Sequence, residues 1–275
     1  MRITTLITEK KYLRLTAGFF IATILAASTP APRVNAAILP VKDSDTPPTR
    51  VEDLRAGASS SSPENLTFVG ETLFFTATDG NVGRELWKLN PPYKKAELVK
   101  DIQPGYESSD PEQITAFGNL VFFSARDSAG VELWVSEPPY DSYSTHRVAD
   151  LNEGGDSNPR EPTPIGNALF FAADNGLNGR EIFKTEPPYQ TVDLVADIWK
   201  GPHGSNPREF TRIGWMLFYI AGDSSSTEIW RSDPPYNPGT AIKSTNIARN
   251  GDAEIYDLTL VDNIIFFSGN DGESG

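Results

Sequence analysis

Two sets of side chains recur in this sequence at spacings that could support chemistry. Asp79, Asp127, Asp174 and Asp223 each fall just beyond an aromatic segment, with Asn175 beside the third and Asp271 at the next equivalent place. Carboxylates are hard oxygen donors, and acidic, flexible loops are the usual ligands of Ca²⁺, so the four aspartates are candidate metal ligands. Nearby acids, Asp110, Glu112, Asp156, Glu161 and Glu209, would add to such a face. The competing reading is turn chemistry: Asp and Asn ahead of Gly bond their own backbone, and no loop has the dense Asp-x-Asp-x-Asp spacing of a strong calcium loop. The second set is Tyr93, Tyr140, Tyr189 and Tyr236, each closing a Pro-Pro-Tyr triplet. Proline fixes φ, so these stiff turns would hold the four rings in equivalent places, either as a ligand platform for a sugar or protein partner or as seals over the neighbouring hairpin.

Other repeated groups read as structural. Glu85, Glu132, Glu181 and Glu228 open Glu-Leu-Trp-like triplets, where they would bond backbone groups or pair with Arg84 and Arg180, and Trp87, Trp134, Phe183 and Trp230 read as core. The two histidines, His146 and His203, occupy non-equivalent positions, so neither a histidine metal cluster nor a histidine-based triad is visible. No catalytic residue is assigned.

The elements that must position these groups follow from a 48-residue period. Leu73-Phe74-Phe75, Val121-Phe122-Phe123, Leu169-Phe170-Phe171, Leu217-Phe218-Tyr219 and Ile265-Phe266-Phe267 stand in register. Each follows a shorter apolar segment across a tight turn, Gly70-Glu71 in the first copy and Asp262-Asn263 in the last, as in a two-residue hairpin. The Glu-Leu-Trp segment is a third strand, and Leu98 to Ile102, Arg147 to Leu151, Leu194 to Ile198 and Ile242 to Ile247 a fourth. Four short strands per repeat without helical periodicity predict an all-β fold, a β-propeller of four-stranded blades, with a stacked β-solenoid as the alternative. About five blades are expected, in repeats 66–102, 114–151, 162–198 and 210–248 with a partial repeat 258–275. Residues 50–54, a copy of the fourth strand, are the expected closing strand beside the last repeat. That repeat stops at Asp271 to Gly275, where a Glu-Leu-Trp strand is due, which implies either a five-bladed ring with one strand missing or a piece of a longer array; an unpaired ring edge is an aggregation hazard, so the longer array is the expectation.

Residues 1–36 read as a signal peptide: basic Arg2, Lys10, Lys11 and Arg14, then the apolar run Leu15 to Ala27, with cleavage after Ala36; an uncleaved membrane anchor is the alternative, disfavoured because the run is shorter than a spanning helix requires. Residues 37–49, with Pro40, Pro47 and Pro48, read as a linker ahead of the repeats at 50–275. The expected location is secreted, extracellular or periplasmic, with no membrane span in the mature form. The chain's formal net charge is −13, and loss of the basic leader leaves it more acidic still, which disfavours nucleic acid and anionic lipid as partners. With no cysteine, disulfides, thiolate metal sites and a cysteine nucleophile are excluded.

Taken together, Leu73-Phe74-Phe75, Asp79-Gly80, Gly83-Arg84-Glu85-Leu86-Trp87, Leu98-Val99-Lys100-Asp101-Ile102, Pro104-Gly105 and Ser108-Ser109 resemble the bacterial ELWxxDGT repeat family over roughly residues 50–275. The departure is Pro-Pro-Tyr where that family carries Asp-Gly-Thr. The resemblance implies an exported, propeller-like repeat protein and supplies no catalytic residues. The expected role is a non-catalytic binding or interaction module for an extracellular protein or glycan, with Ca²⁺ the one cofactor to test. The alternative is an extracellular polysaccharide-active enzyme using carboxylates near the ring axis.

Overall fold

A computed structural model describes residues 24–25, 50–247 and 253–270. The cleavage site, the 37–49 linker and Asp271 to Gly275 lie outside the described residues. Of those described, residues 50–128 and 134–146 form one compact unit, and residues 24–25, 129–133, 147–247 and 253–270 form another.

The alternation of aromatic runs and glycine turns yields an all-β chain with no α-helix among the described residues, and so none long and apolar enough to cross a membrane. Four antiparallel sheets have four strands each, in sequential order. The first contains β2 (Glu64–Val69), β3 (Thr72–Ala77), β4 (Glu85–Leu89) and β5 (Ala96–Lys100). The second contains β6 (Glu112–Phe117), β7 (Leu120–Asp127), β8 (Gly130–Ser136) and β9 (Thr145–Arg147). The third contains β10 (Arg160–Ile165), β11 (Ala168–Asp174), β12 (Arg180–Thr185) and β13 (Asp193–Ala196). The fourth contains β14 (Arg208–Ile213), β15 (Met216–Gly222), β16 (Thr227–Ser232) and β17 (Ile242–Lys243). The last repeat supplies the hairpin β18 (Glu254–Val261) and β19 (Ile264–Asn270), whose edge pairs with the two-residue β1 (Ile24–Leu25).

The hairpin turns work as their residues require. Gly70, Gly118, Gly166 and Gly214 take φ near +60°, and Asp262, one of the residue types that tolerates this region, does so in the fifth copy. The first four aromatic strands are buried on both faces: Phe74, Phe122, Phe123, Phe170 and Phe218 are fully enclosed, whereas β19 buries Ile265 and Phe267 on one face. In the first unit, Phe74, Leu86 and Val99 of one sheet pack with Val121, Phe123 and Trp134 of the next. In the second unit, Phe170 and Ile182 pack with Leu217 and Tyr219, and Phe218 and Ile229 with Ile255 and Ile265. Burial of a ring of this size stabilises by roughly 2–3 kcal/mol, so these layers are the main source of stability in a chain without disulfides.

Three features differ from expectation. Arg50 to Leu54 form no strand; Leu54 packs instead against the cluster containing Phe75 and Trp87, and Glu52 accepts a bond from the Ala96 N–H. The fourth strands end early, at Lys100, Arg147, Ala196 and Lys243, because the N–H groups of Ile102, Leu151, Ile198 and Ile247 donate to carboxylates rather than to a sheet. Every first strand also carries a register shift beside a residue at positive φ: Asn65, Gln113, Glu161, Glu209 and Asp257. This β-bulge turns a side chain out of the pleat. Glu161 thereby accepts the Phe210 N–H and Glu209 the Leu258 N–H, which ties β10 to β14 and β14 to β18.

Candidate functional site

The repeated glutamates are the most buried acids described, all with no solvent exposure. Each sits at or near the start of a third strand, where pleat alternation turns it inward, and each receives donors from the connector leading to the next repeat. Glu85 accepts the Ile102 N–H at 3.2 Å, the Ser109 N–H at 3.0 Å and the Ser109 hydroxyl. Glu132 does the same with Leu151 and with both donors of Ser157. Glu181 takes the Ile198 and Trp199 N–H groups, at 3.3 and 3.4 Å, and both donors of Ser205. Glu228 uses the Thr245 hydroxyl and the Ile247 N–H. Burial pushes the Glu85 and Glu181 carboxyls up to about 7, against the pull of the serine and backbone donors, and Glu132 is raised for the same reason. These groups are pins that pair buried polar groups of the connectors, beside backbone bonds such as Gly83 N–H to the Gly105 carbonyl and Arg126 N–H to the Ser109 carbonyl.

In the first three repeats the connectors come so close that the residue two before the buried glutamate, Gly83, Gly130 or Gly179, has no room for a Cβ. A Cβ on Gly83 would lie 1.8 Å from the Glu107 carbonyl oxygen, and one on Gly130 would lie 2.3 Å from that of Gly155. Arg84, the expected partner of Glu85, instead bonds Glu64, the Ser62 carbonyl and Thr76.

The four tyrosines are clamps. Each triplet has a cis Pro-Pro bond, and each Tyr lies at φ between 55° and 61°. The Tyr N–H closes the turn onto the carbonyl of Asn90, Glu137, Glu186 or Asp233. The hydroxyls of Tyr93, Tyr140, Tyr189 and Tyr236 donate to the carbonyls of Glu71, Asn119, Asn167 and Trp215, which are the hairpin turns of their own sheets. Tyr140 also meets Phe74 edge-on at 5.0 Å, and Tyr236 meets Phe170 at 4.7 Å. Burial, with Asp233 nearby, raises the Tyr236 phenol to about 12. Tyr93 contacts Phe68 of its own sheet at 6.3 Å, and both are exposed.

The four aspartates lie apart, each at the end of a second strand or just beyond it. Asp79 Oδ1 accepts the N–H groups of Asn81 and Val82; burial opposes its ionisation, yet these bonds hold its carboxyl below the usual range. Asp223 accepts those of Ser225 and Ser226 and pairs with Lys243 at 2.8 Å; again burial opposes, and Lys243 and the serine donors hold it well below. The equivalent in the third sheet is Asn175, which accepts the Leu177 and Asn178 N–H groups, whereas Asp174 ends β11 and accepts the Gly176 N–H. Asp127 is the last residue of β7. A neutral Asn performing the work of Asp79 and Asp223 identifies that work as turn closure. No group of three or more acids, histidines or cysteines is placed to hold a metal ion among the described residues.

One feature escaped the reading of the sequence. A cavity of about 420 Å³ is lined by Ile198, Trp199, Lys200, Asp223 and Ser224. Trp199 is half-buried and stacks on the exposed His203, centroids 5.1 Å apart at 25°. Counted from the pinned residues Ile102, Leu151 and Ile198, Trp199 stands where other connectors have Gln103 and Asn152. That break in the repeat was the available signal.

No protein-family model matches the chain, and no curated protein is similar to it. Among solved structures it is similar to a prolyl endopeptidase at 14% identity, covering 71% of this chain and 31% of that one, with a TM-score of 0.45. A putative TolB from Agrobacterium tumefaciens shares 9% identity over 61% of this chain and 59% of its own, at a TM-score of 0.41. A chain of a nidogen/laminin complex shares 15% over 72% and 70%, also at 0.41. The chain thus spans about a third of the first of these proteins and under two thirds of the second.

Proposed function

We propose that the chain is an exported, non-catalytic binding module whose four-stranded sheets are the blades of a β-propeller of the ELWxxDGT type. Its target is an extracellular protein or glycan. The observation that carries this reading is the internal use of the repeated third-strand glutamates, tyrosine hydroxyls and turn aspartates. The buried glutamates hold connectors, the tyrosine hydroxyls hold hairpins, and the turn aspartates hold their own loops. Groups engaged in this way give the repeat its shape and leave recognition to positions that differ between repeats. Sequential meanders with inner strands linked across β10, β14 and β18 are the local geometry that blades require.

The test is to express the chain from its complete coding sequence, purify it, and pass it over immobilised neutral polysaccharides and extracellular-matrix proteins while assaying released reducing ends. Retention on one of these surfaces without release of reducing ends is the expected result. Release that persists through purification to homogeneity would replace the binding module with a glycosidase, and retention on no surface would remove the reading altogether.

A further inference from the structure

Among the described residues, the Trp199 cleft joins a concave surface to side chains the fold does not demand. Glu181 fixes its floor by accepting the N–H groups of both Ile198 and Trp199, so the indole projects from a pinned backbone. The opposite wall is the loop after β15, closed by Asp223 onto Ser225 and Ser226. Lys243 holds the second carboxylate oxygen of Asp223 at 2.8 Å and thereby fixes that side chain. Both walls belong to one compact unit.

The chemistry of this lining points to one ligand class. An indole supplies a flat, polarisable face whose electron density attracts weakly positive C–H groups. Around it stand the Ser224 hydroxyl, a donor and an acceptor, and the Lys200 ammonium, a donor, which together can meet vicinal hydroxyls. A pyranose ring presents that pair of surfaces, an axial C–H face and an equatorial rim of hydroxyls. The volume lies at the lower end of the range of about 300–1,000 Å³ typical of small-ligand sites. The formal net charge of −13 disfavours polyanionic chains.

We propose that this cleft is a subsite for the pyranose ring of a neutral oligosaccharide, with Trp199 as the stacking platform and Ser224 and Lys200 as partners of the sugar hydroxyls, while Asp223 holds the wall that presents Ser224. His203 braces the indole by stacking on it and does not line the cleft. The proposal rests on the reading of the chain as a binding module and gives that module a ligand class and an address.

The experiment is a calorimetric titration of the full chain with cellopentaose, laminaripentaose, mannopentaose and, as an acidic comparison, trigalacturonate. At least one neutral pentasaccharide is expected to bind in the micromolar-to-millimolar range. Trp199→Gln, which restores the residue type of the first connector, should weaken it by at least about tenfold, and Ser224→Ala by roughly two- to threefold. Unchanged circular dichroism of both variants would show that the loss belongs to the cleft. Failure of all three neutral sugars to bind, binding of trigalacturonate alone, or undiminished binding by Trp199→Gln would each overturn the proposal. If Trp199→Gln binds undiminished while the chain is still retained on polysaccharide, the cleft falls and the binding module stands. If Trp199→Gln abolishes binding but the wild-type chain releases reducing ends, the cleft stands and the non-catalytic reading falls.

Discussion

The connectors at 101–110 and 197–206 follow equivalent strands and are held by the same device. In each, a fully buried glutamate from the third strand accepts backbone donors at the connector's start, Ile102 or Ile198 and Trp199, and both donors of a serine, Ser109 or Ser205. The surfaces above the pins differ. The first presents Gln103, Pro104 and Glu107; the second presents Trp199, Lys200 and His203 and borders a cleft. A repeat protein can vary what it displays because the buried bonds, rather than the displayed side chains, determine where the connector runs.

If that separation is real, the pins must be costly to remove and equivalent to each other. Glu85→Ala and Glu181→Ala each leave several donors without an acceptor in a site that excludes water. Each is expected to lose about 3–5 kcal/mol, the cost of breaking a buried, multiply bonded charge site. Urea unfolding of the two variants would measure this. Losses differing by more than about 1 kcal/mol would show that the two connectors are not held alike, since independent sites of the same construction should match.

A second test uses the protons on the pins. In the folded chain the Glu85 and Glu181 carboxyls titrate near 7, whereas in the unfolded chain they return to their ordinary value of 4.5. Between those values the native state holds protons that the unfolded state has released, so stability falls as pH rises through this window and is greatest at its acidic end. The two pins together should make the chain more stable at pH 5 than at pH 8 by about 5 kcal/mol. The high negative charge acts in the same direction, so the comparison that matters is with Glu181→Gln, which cannot titrate. Its stability should depend on pH less steeply than that of the wild type, and an unchanged slope would place the titration elsewhere.

Much of the architecture was legible because it is local. The aromatic strands, the positive-φ turns at Gly70, Gly118, Gly166 and Gly214, and the Asx turn at Asp79 all follow from short-range sterics and side-chain-to-backbone bonds. What stayed hidden depends on partners distant in sequence. Residues Leu98 to Ile102 look like one continuous strand, yet the Ile102 N–H leaves the ladder for Glu85, 17 residues away. The bulge that aims Glu209 at Leu258 falls on Asn, Gln, Glu or Asp in different copies, so no residue type marks it. Arg50 to Leu54 reads as an outer strand, but an outer strand needs a partner, and here Leu54 gains its burial by packing on the first sheet.

The candidate site divides along the same line. Repetition drew attention to Asp79, Asp223 and the four tyrosines, whose chemistry proves to be internal. Trp199 went unremarked because a lone aromatic between an apolar strand and a lysine looks like core. The smallest expected effect therefore bears most directly on the comparison. Trp199→Gln places the first connector's residue on the third connector's backbone, where Glu181 still receives the residue 199 N–H whatever side chain follows it. Unfolding free energy should change by no more than about 1 kcal/mol, since the half-buried indole gives up only its stacking contact with the exposed His203. Trp87→Gln, at a side chain only 6% exposed whose indole N–H bonds the Ala77 carbonyl, should cost about 3 kcal/mol or more. A chain that lost as much stability at Trp199 as at Trp87 would have that indole as part of its core. The contrast between a constant pin and a variable display would then have to be abandoned, because the residue that differs between connectors would itself hold the third one in place.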